Sequence, residues 1–196
     1  MSYYEMIIST TDFLNFRLNM KKTLFLLIAI LAASLPLYAK TFLGVEEFAS
    51  KSVAKSNLYD SYGYLSVDEQ GSDLVVTEPT FAGFRFSIAI LYFSPINGGP
   101  RFNGINFQRW YQSTQIKEAK DFRDALMNSL RTKYGDEIYA EFKNEQGFKC
   151  CEFGTYNDGS LGLLEMTREK GKDGKERLYV LLTYYPFDMK AVQNEL

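Results

Sequence analysis

The chain has one tryptophan, and the residues around it could form a binding site. Asn106, Gln108 and Trp110 fall on one side of an extended strand, because side chains alternate between its two faces. An indole offers a flat apolar surface, and nearby amides can bond the edge of a ligand. We therefore expect these three residues to bind a ligand. The alternative is that a loop, or the terminal helix predicted over 187–196, covers Trp110.

The chain contains no histidine, which excludes several kinds of catalytic and metal site. Serine and cysteine hydrolases of the triad type and most zinc centres use an imidazole. Two cysteines alone make a poor metal site, and the sequence has no glycine-rich phosphate-binding motif. We therefore expect neither a metal nor a cofactor.

Carboxylates are the remaining side chains with which the chain could perform acid–base catalysis. Two carboxyl groups at roughly 5 to 10 Å from each other can hydrolyse a glycosidic bond. The candidates are Asp136-Glu137, Glu46-Glu47, and Glu141 with Glu145. Most acidic side chains are solvated surface groups. We therefore expect a protein that is not an enzyme, with a carboxylate-dependent hydrolase of cell-envelope glycan as the alternative.

The two cysteines are adjacent in the sequence, at Cys150 and Cys151. Neighbouring residues of a strand point to opposite faces, so this pair cannot cross-link distant parts of the fold. We expect one buried thiol and one partly exposed thiol. A strained disulfide between them, or a bridge to another chain, would give them a redox or bridging role.

Residues 20–39 are typical of a secretory signal peptide. A basic start is followed by an apolar run at 24–33 and by a small residue, Ala39. Such a signal acts near an N-terminus, so we expect Met20 to be the true start and 1–19 to be an over-long start. The expected location is periplasmic or secreted after cleavage near Ala39, with no stable membrane anchor left.

The composition of the chain is that of a globular protein rich in strands. It is 46% apolar and 16% aromatic, and residues 40–196 are long enough for one domain. The formal net charge is −2. Phosphate backbones bind basic surfaces, so we expect no nucleic acid partner. The expected partner is an unknown protein or a glycan.

Hydrophobic periodicity predicts two helices and six strands. The first helix follows a cap at Ser50 and ends near Tyr62, the second runs from Gln115 to Tyr134, and a glycine follows each. The predicted strands cover 73–76, 83–93, 102–111, 147–153, 161–168 and 177–185.

The order α-βββ-α-βββ predicts an α+β fold in which the helices pack on one face of an antiparallel sheet. Both helices end in Tyr-Gly and carry Ala-Lys near the start, which favours a duplicated αβββ unit. We expect 40–196 to form a single α+β domain of this kind.

Phe42-Leu43-Gly44-Val45 precedes the short helix, and the long helix ends in Lys133-Tyr134-Gly135. This pattern resembles small exported bacterial proteins of unknown function. The resemblance covers most of 40–196 and implies no functional residues. Together these features predict an exported, non-catalytic binding or interaction module. The competing hypotheses are the glycan hydrolase and a structural subunit held by a cysteine bridge.

Overall fold

The structure is a computed structural model that describes residues 41–96, 98–136, 139–156, 159–171 and 173–184. Within these ranges the chain forms twelve strands and two α-helices. The predicted signal peptide and the predicted terminal helix lie outside the described residues. In the part of the chain that the structure describes, no helix is long and apolar enough to span a membrane.

The strands and helices are numbered in chain order. They are β1 (Thr41–Phe42), β2 (Val45–Glu46), α1 (Lys51–Tyr62), β3 (Val67–Gln70), β4 (Asp73–Thr77), β5 (Thr80–Phe81), β6 (Phe84–Arg85), β7 (Ile88–Ile96), β8 (Gly99–Gln112), α2 (Ile116–Tyr134), β9 (Tyr139–Lys143), β10 (Lys149–Tyr156), β11 (Gly159–Lys170) and β12 (Glu176–Tyr184). Two short hairpins, β1–β2 and β5–β6, stand apart from the main sheet.

Eight strands form one antiparallel sheet in the order β3-β4-β7-β8-β12-β11-β10-β9. The predicted α+β fold with a repeated αβββ order is therefore wrong. The described chain is mostly β, and four sheet strands, not three, follow each helix. The missed strands are β3 and β9, the two edges of the sheet. Each carries one buried residue, Val67 and Tyr139, so neither shows the alternation that marks a half-buried strand.

The single strand predicted over 83–93 is divided in two. The hairpin β5–β6 ends at Arg85, and β7 begins at Ile88. Phe86 is buried, but the next buried residues are Ala89 and Leu91, so the alternation shifts by one residue between them. A shift of one residue moves every following side chain to the other face. Ile90 therefore lies on the face opposite to Phe86, contrary to the predicted pattern.

The core lies between one face of the sheet and the two helices. Its members from the sheet include Leu74, Leu91, Phe107, Val180 and Leu182, and the helices contribute Ala54, Leu58, Leu126 and Leu130. We call this side of the sheet the helix face. The opposite side, which we call the far face, carries Ile90, Asn106, Gln108, Trp110, Tyr179, Leu181 and Thr183.

Both helices end where the sequence predicts. Gly63 and Gly135 have positive φ angles of 79° and 77°, which glycine adopts without a steric penalty. Each donates its backbone N–H to the carbonyl oxygen four residues earlier. At the start of α1, the Ser50 hydroxyl accepts the N–H of Val53 at 3.4 Å, which confirms the predicted cap.

Candidate functional site

The indole of Trp110 lies near the end of β8, and 50% of this residue is exposed. Its strand partner on β12 is Tyr179. On its other side β8 extends beyond β7, whose pairing begins at Ile88 opposite Gln108. There the backbone N–H of Trp110 meets the hydroxyl of Ser87 at 3.4 Å instead of a strand partner. The indole therefore lies beside a stretch of β8 that β7 does not cover.

Two surface depressions lie on either side of Trp110, and both include it in their lining. The first has a volume of about 370 Å³, and its polar lining is Glu78, Arg85, Ser87, Arg109 and Gln115. The second has a volume of about 550 Å³, and its polar lining is Gln112, Ser113, Thr114, Lys175, Glu176 and Arg177. The indole thus forms a wall shared by two hollows.

In the first depression, the guanidinium of Arg109 is held by aromatic rings. Its central carbon lies 4.4 Å from the ring centroid of Phe122 and 5.3 Å from that of Tyr111. Its Nη1 donates a hydrogen bond to the carbonyl oxygen of Arg85 at 3.1 Å. Among the ion pairs of the described residues, none involves Arg109. These contacts orient the guanidinium without neutralising its charge.

In the second depression, Arg177 lies against the indole. Its guanidinium carbon is 5.7 Å from the Trp110 ring. Its Nη2 also donates to Asp173 Oδ2 at 2.6 Å, so its charge is already paired. The other carboxylate oxygen of Asp173 accepts the backbone N–H of Lys175 at 3.2 Å. The turn between β11 and β12 thereby positions Arg177 over one side of the indole.

Asn106, Gln108 and Trp110 share the far face, as the alternation predicts, but their exposure differs. Gln108 is half-buried, and Asn106 is only 6% exposed. Asn106 Nδ2 donates to Thr183 Oγ1 at 2.6 Å, and its Oδ1 is buried with no hydrogen-bond partner. The side chain that a ligand reaches first is therefore Trp110. Ligand contact by the two amides stays a prediction.

Both cysteines are buried, and both are free thiols. Cys151 belongs to the core, whereas Cys150 points to the other face of β10, where its Sγ lies 3.6 Å from the carbonyl oxygen of Phe148. Both residues are fully buried, so neither is the partly exposed thiol that we expected. Burial raises the pKa of both thiols, that of Cys151 to about 11. A protonated thiol is a weak nucleophile, so this geometry gives little support to a redox or bridging role.

Of the predicted carboxylate pairs, no member that the structure describes lines either depression beside Trp110. Glu141 and Asp136 both contact Arg131, and Glu137 lies outside the described residues. Each depression beside Trp110 has one carboxylate in its lining, Glu78 in the first and Glu176 in the second. A glycosidase needs two converging carboxyl groups, and neither described lining provides them.

Another carboxyl group, that of Glu165 on β11, has a raised pKa but lies outside both depressions. Burial, followed by the charge of Glu169, raises this pKa. Within the described ranges, no three His, Cys, Asp or Glu residues come close enough to hold a metal ion.

Arg109 is not among the site residues that the sequence predicts. Strand alternation places it on the helix face, away from Trp110. It nevertheless reaches the first depression, because β8 has no β7 partner beyond Gln108 and both of its faces border that gap. The sequence does show an arginine directly before the tryptophan, near the end of a long strand. Whether the two side chains reach the same depression depends on where the neighbouring strand begins, which this pair of residues does not indicate.

Comparison of the chain with protein-family models, with curated proteins and with solved structures gave no match.

Proposed function

We propose that this protein is an exported, non-catalytic binding module that holds a glycan against Trp110. The observation that carries the proposal is the half-exposed indole, which forms a wall of two depressions. A tryptophan is highly buried on average, so an indole with half its surface in solvent is unusual for a residue that serves the core alone. Tryptophan is also among the residues that contribute most to binding interfaces.

The backbone of Trp110 is fixed by the sheet, and one charged side chain lies over its indole. Trp110 is paired to Tyr179 along the β8–β12 ladder, and the guanidinium carbon of Arg177 lies 5.7 Å from the ring centroid. An oriented side chain loses little conformational freedom on binding, so more of the contact energy appears as affinity. This arrangement supports a surface used for recognition.

The side chains around the indole favour a glycan. A sugar ring has an apolar face that stacks on an indole and hydroxyl groups at its edge. In the second depression Gln112, Ser113 and Thr114 supply neutral donors and acceptors for the hydroxyls of the neighbouring sugar of the glycan. The hydrolase alternative is less well supported at Trp110, because neither depression beside it contains a pair of carboxylates. Glu169 and Glu176 line a different hollow, together with Arg168 and Lys170. The bridged structural subunit is less well supported as well, because both thiols are buried.

The single tryptophan provides a direct test, because all indole fluorescence comes from Trp110. We would titrate the protein with soluble oligosaccharides of neutral and acidic sugars and record the emission spectrum. We expect a saturable change with at least one of them.

Calorimetry would then measure the affinity of that ligand for the unsubstituted protein, for Trp110→Ala and for a matched control, Phe142→Ala. Phe142 is another part-exposed aromatic residue, 43% exposed on edge strand β9. We expect the first variant to lose about tenfold or more in affinity and the control to retain it. Equal binding by Trp110→Ala and the unsubstituted protein would refute the proposal.

A further inference from the structure

We propose that the first depression binds the carboxylate of an acidic sugar, with Arg109 as the residue that recognises it. This inference rests on the proposed function, since it assigns the class of glycan that Trp110 would hold. It starts from the charge of Arg109, for which the described ion pairs provide no carboxylate partner. Charged groups that are partly removed from water are normally paired, so an oriented and unpaired guanidinium favours an anion from outside the chain.

Two other carboxylates, Glu78 and Glu118, bear on the charge of this region. Glu78 lines the same depression, but its Oε2 accepts a hydrogen bond from Arg85 at 2.6 Å. Glu118, in the first turn of α2, acts on the same phenol as Arg109: burial raises the pKa of Tyr111, the charge of Arg109 lowers it, and the charge of Glu118 raises it by a smaller amount. Neither forms an ion pair with Arg109 among the described contacts. The lining of the first depression has two arginines and one carboxylate, so it is locally positive although the whole chain carries a charge of −2.

The remaining polar side chains of this depression have donors to spare. The Ser87 hydroxyl accepts the N–H of Trp110, so its own hydrogen is free to be donated. The Oε1 of Gln115 accepts the backbone N–H of Gln112 at 3.0 Å, which leaves the amide Nε2 to donate. A guanidinium has five N–H donors, and one of those on Arg109 bonds the Arg85 carbonyl. A group rich in acceptor oxygens complements this set.

The geometry points to a carboxylate on the same sugar that stacks on the indole. Arg109 and Trp110 are consecutive residues, so their Cα atoms are about 3.8 Å apart. Their side chains leave β8 on opposite faces and meet at the edge of the strand that β7 does not cover. A ligand at this edge can contact both at once. A planar guanidinium matches a planar carboxylate through two parallel hydrogen bonds, which a lysine cannot provide.

The test compares uronic acid oligosaccharides with their carboxyl-reduced counterparts, which differ only in carrying a hydroxymethyl group in place of the carboxylate. Binding is followed by Trp110 fluorescence at low and high salt. We expect the acidic ligand to bind about tenfold more tightly at low salt and the difference to shrink at high salt. Arg109→Gln should abolish the preference, and Arg109→Lys, which keeps the charge, should retain part of it.

Arg131→Gln is the matched control, because it removes the same charge from an arginine that pairs with Glu141 and Asp136. It should leave the preference intact. Thermal unfolding of each variant shows whether it is folded. If Arg109→Gln does not fold, Arg109→Lys still tests the role of Arg109.

The outcomes separate this inference from the proposed function. Equal binding of the acidic and reduced ligands, with both dependent on Trp110, would overturn the role of Arg109 and leave the binding module standing. A preference that survives in Arg109→Gln would overturn it too. Fluorescence that responds to no oligosaccharide would overturn the proposed function and this inference together.

Discussion

Asn106 on β8 donates a hydrogen bond from its Nδ2 to the Oγ1 of Thr183 on β12 at 2.6 Å. The bond joins the two central strands of the eight-stranded sheet, which belong to the halves that follow α1 and α2. The Oδ1 of the same amide is buried without a partner. The amide therefore contributes a cross-strand bond and also carries the cost of an unsatisfied acceptor.

This asymmetry predicts a double-mutant result. Thr183→Val leaves the whole buried amide of Asn106 unpaired, and we expect it to lower the free energy of unfolding by about 1–3 kcal/mol. Adding Asn106→Leu removes this unpaired amide, so the double variant should be more stable than Thr183→Val alone. Urea unfolding measures the stability of the parent, the two single variants and the double variant. Additive losses would show that the two side chains do not depend on each other.

Truncation of Trp110 should cost less stability than truncation of a core aromatic residue. Half of the residue is exposed, so we expect Trp110→Ala to lower the free energy of unfolding by about 1–2 kcal/mol. The comparison variant is Phe107→Ala, three residues earlier on the same strand and fully buried, for which we expect a loss of about 3–5 kcal/mol. Similar losses in chemical denaturation would place the indole in the core and remove the basis for the binding site.

Gly162 on β11 has no room for a side chain. It lies opposite Phe153 on one side and Tyr184 on the other, and these two rings meet edge to face at 5.4 Å between centroids. A Cβ at this position would collide with the backbone oxygen of Thr183 and lie 2.6 Å from Cζ of Phe153.

We therefore expect Gly162→Ala to lower the free energy of unfolding by about 1–3 kcal/mol or more, because overpacking strains the core. Gly99→Ala is the control, since its added Cβ would meet nothing within 4 Å. That variant should stay within about 0.5 kcal/mol of the parent in thermal unfolding. An unaffected Gly162→Ala would mean that the sheet widens at this position without cost.

The buried thiols predict a loss of stability at alkaline pH. The pKa of Cys151 is raised from near 9 to about 11, so the folded state holds its proton to higher pH than the unfolded state does. The stability that follows from this difference is complete below about pH 9 and is lost as the pH rises towards 11. Free energies of unfolding at several pH values between 7 and 10.5 measure it. Cys151→Ala should show a smaller decline, and an identical decline would assign the effect to other groups such as Tyr139.

The parts of the fold that local sequence determines were predictable, and the parts that depend on distant partners were not. The glycines after Tyr62 and Tyr134 mark the helix ends, and alternation along β12 marks its buried side. The edge strands β3 and β9 were not predicted, because the residues after Val67 and Tyr139 are exposed and show no alternation. For the site, Trp110 was identifiable as an unusual residue. The role we propose for Arg109 depends on the position at which β7 begins, which β8 alone does not reveal.

The central position of the β8–β12 pair has a consequence for how the chain folds. The residues that this pair brings together are far apart in the sequence, and Asn106 and Thr183 are separated by 77 positions. Contacts between residues so far apart in the sequence are slow to form, because the entropy cost of closing a long loop comes before the contact stabilises the chain. Until β12 arrives, the edge of β8 that later pairs with it is an unprotected hydrogen-bonding edge, and such edges join those of other chains. The nascent protein is therefore most prone to aggregate between the completion of β8 and the docking of β12.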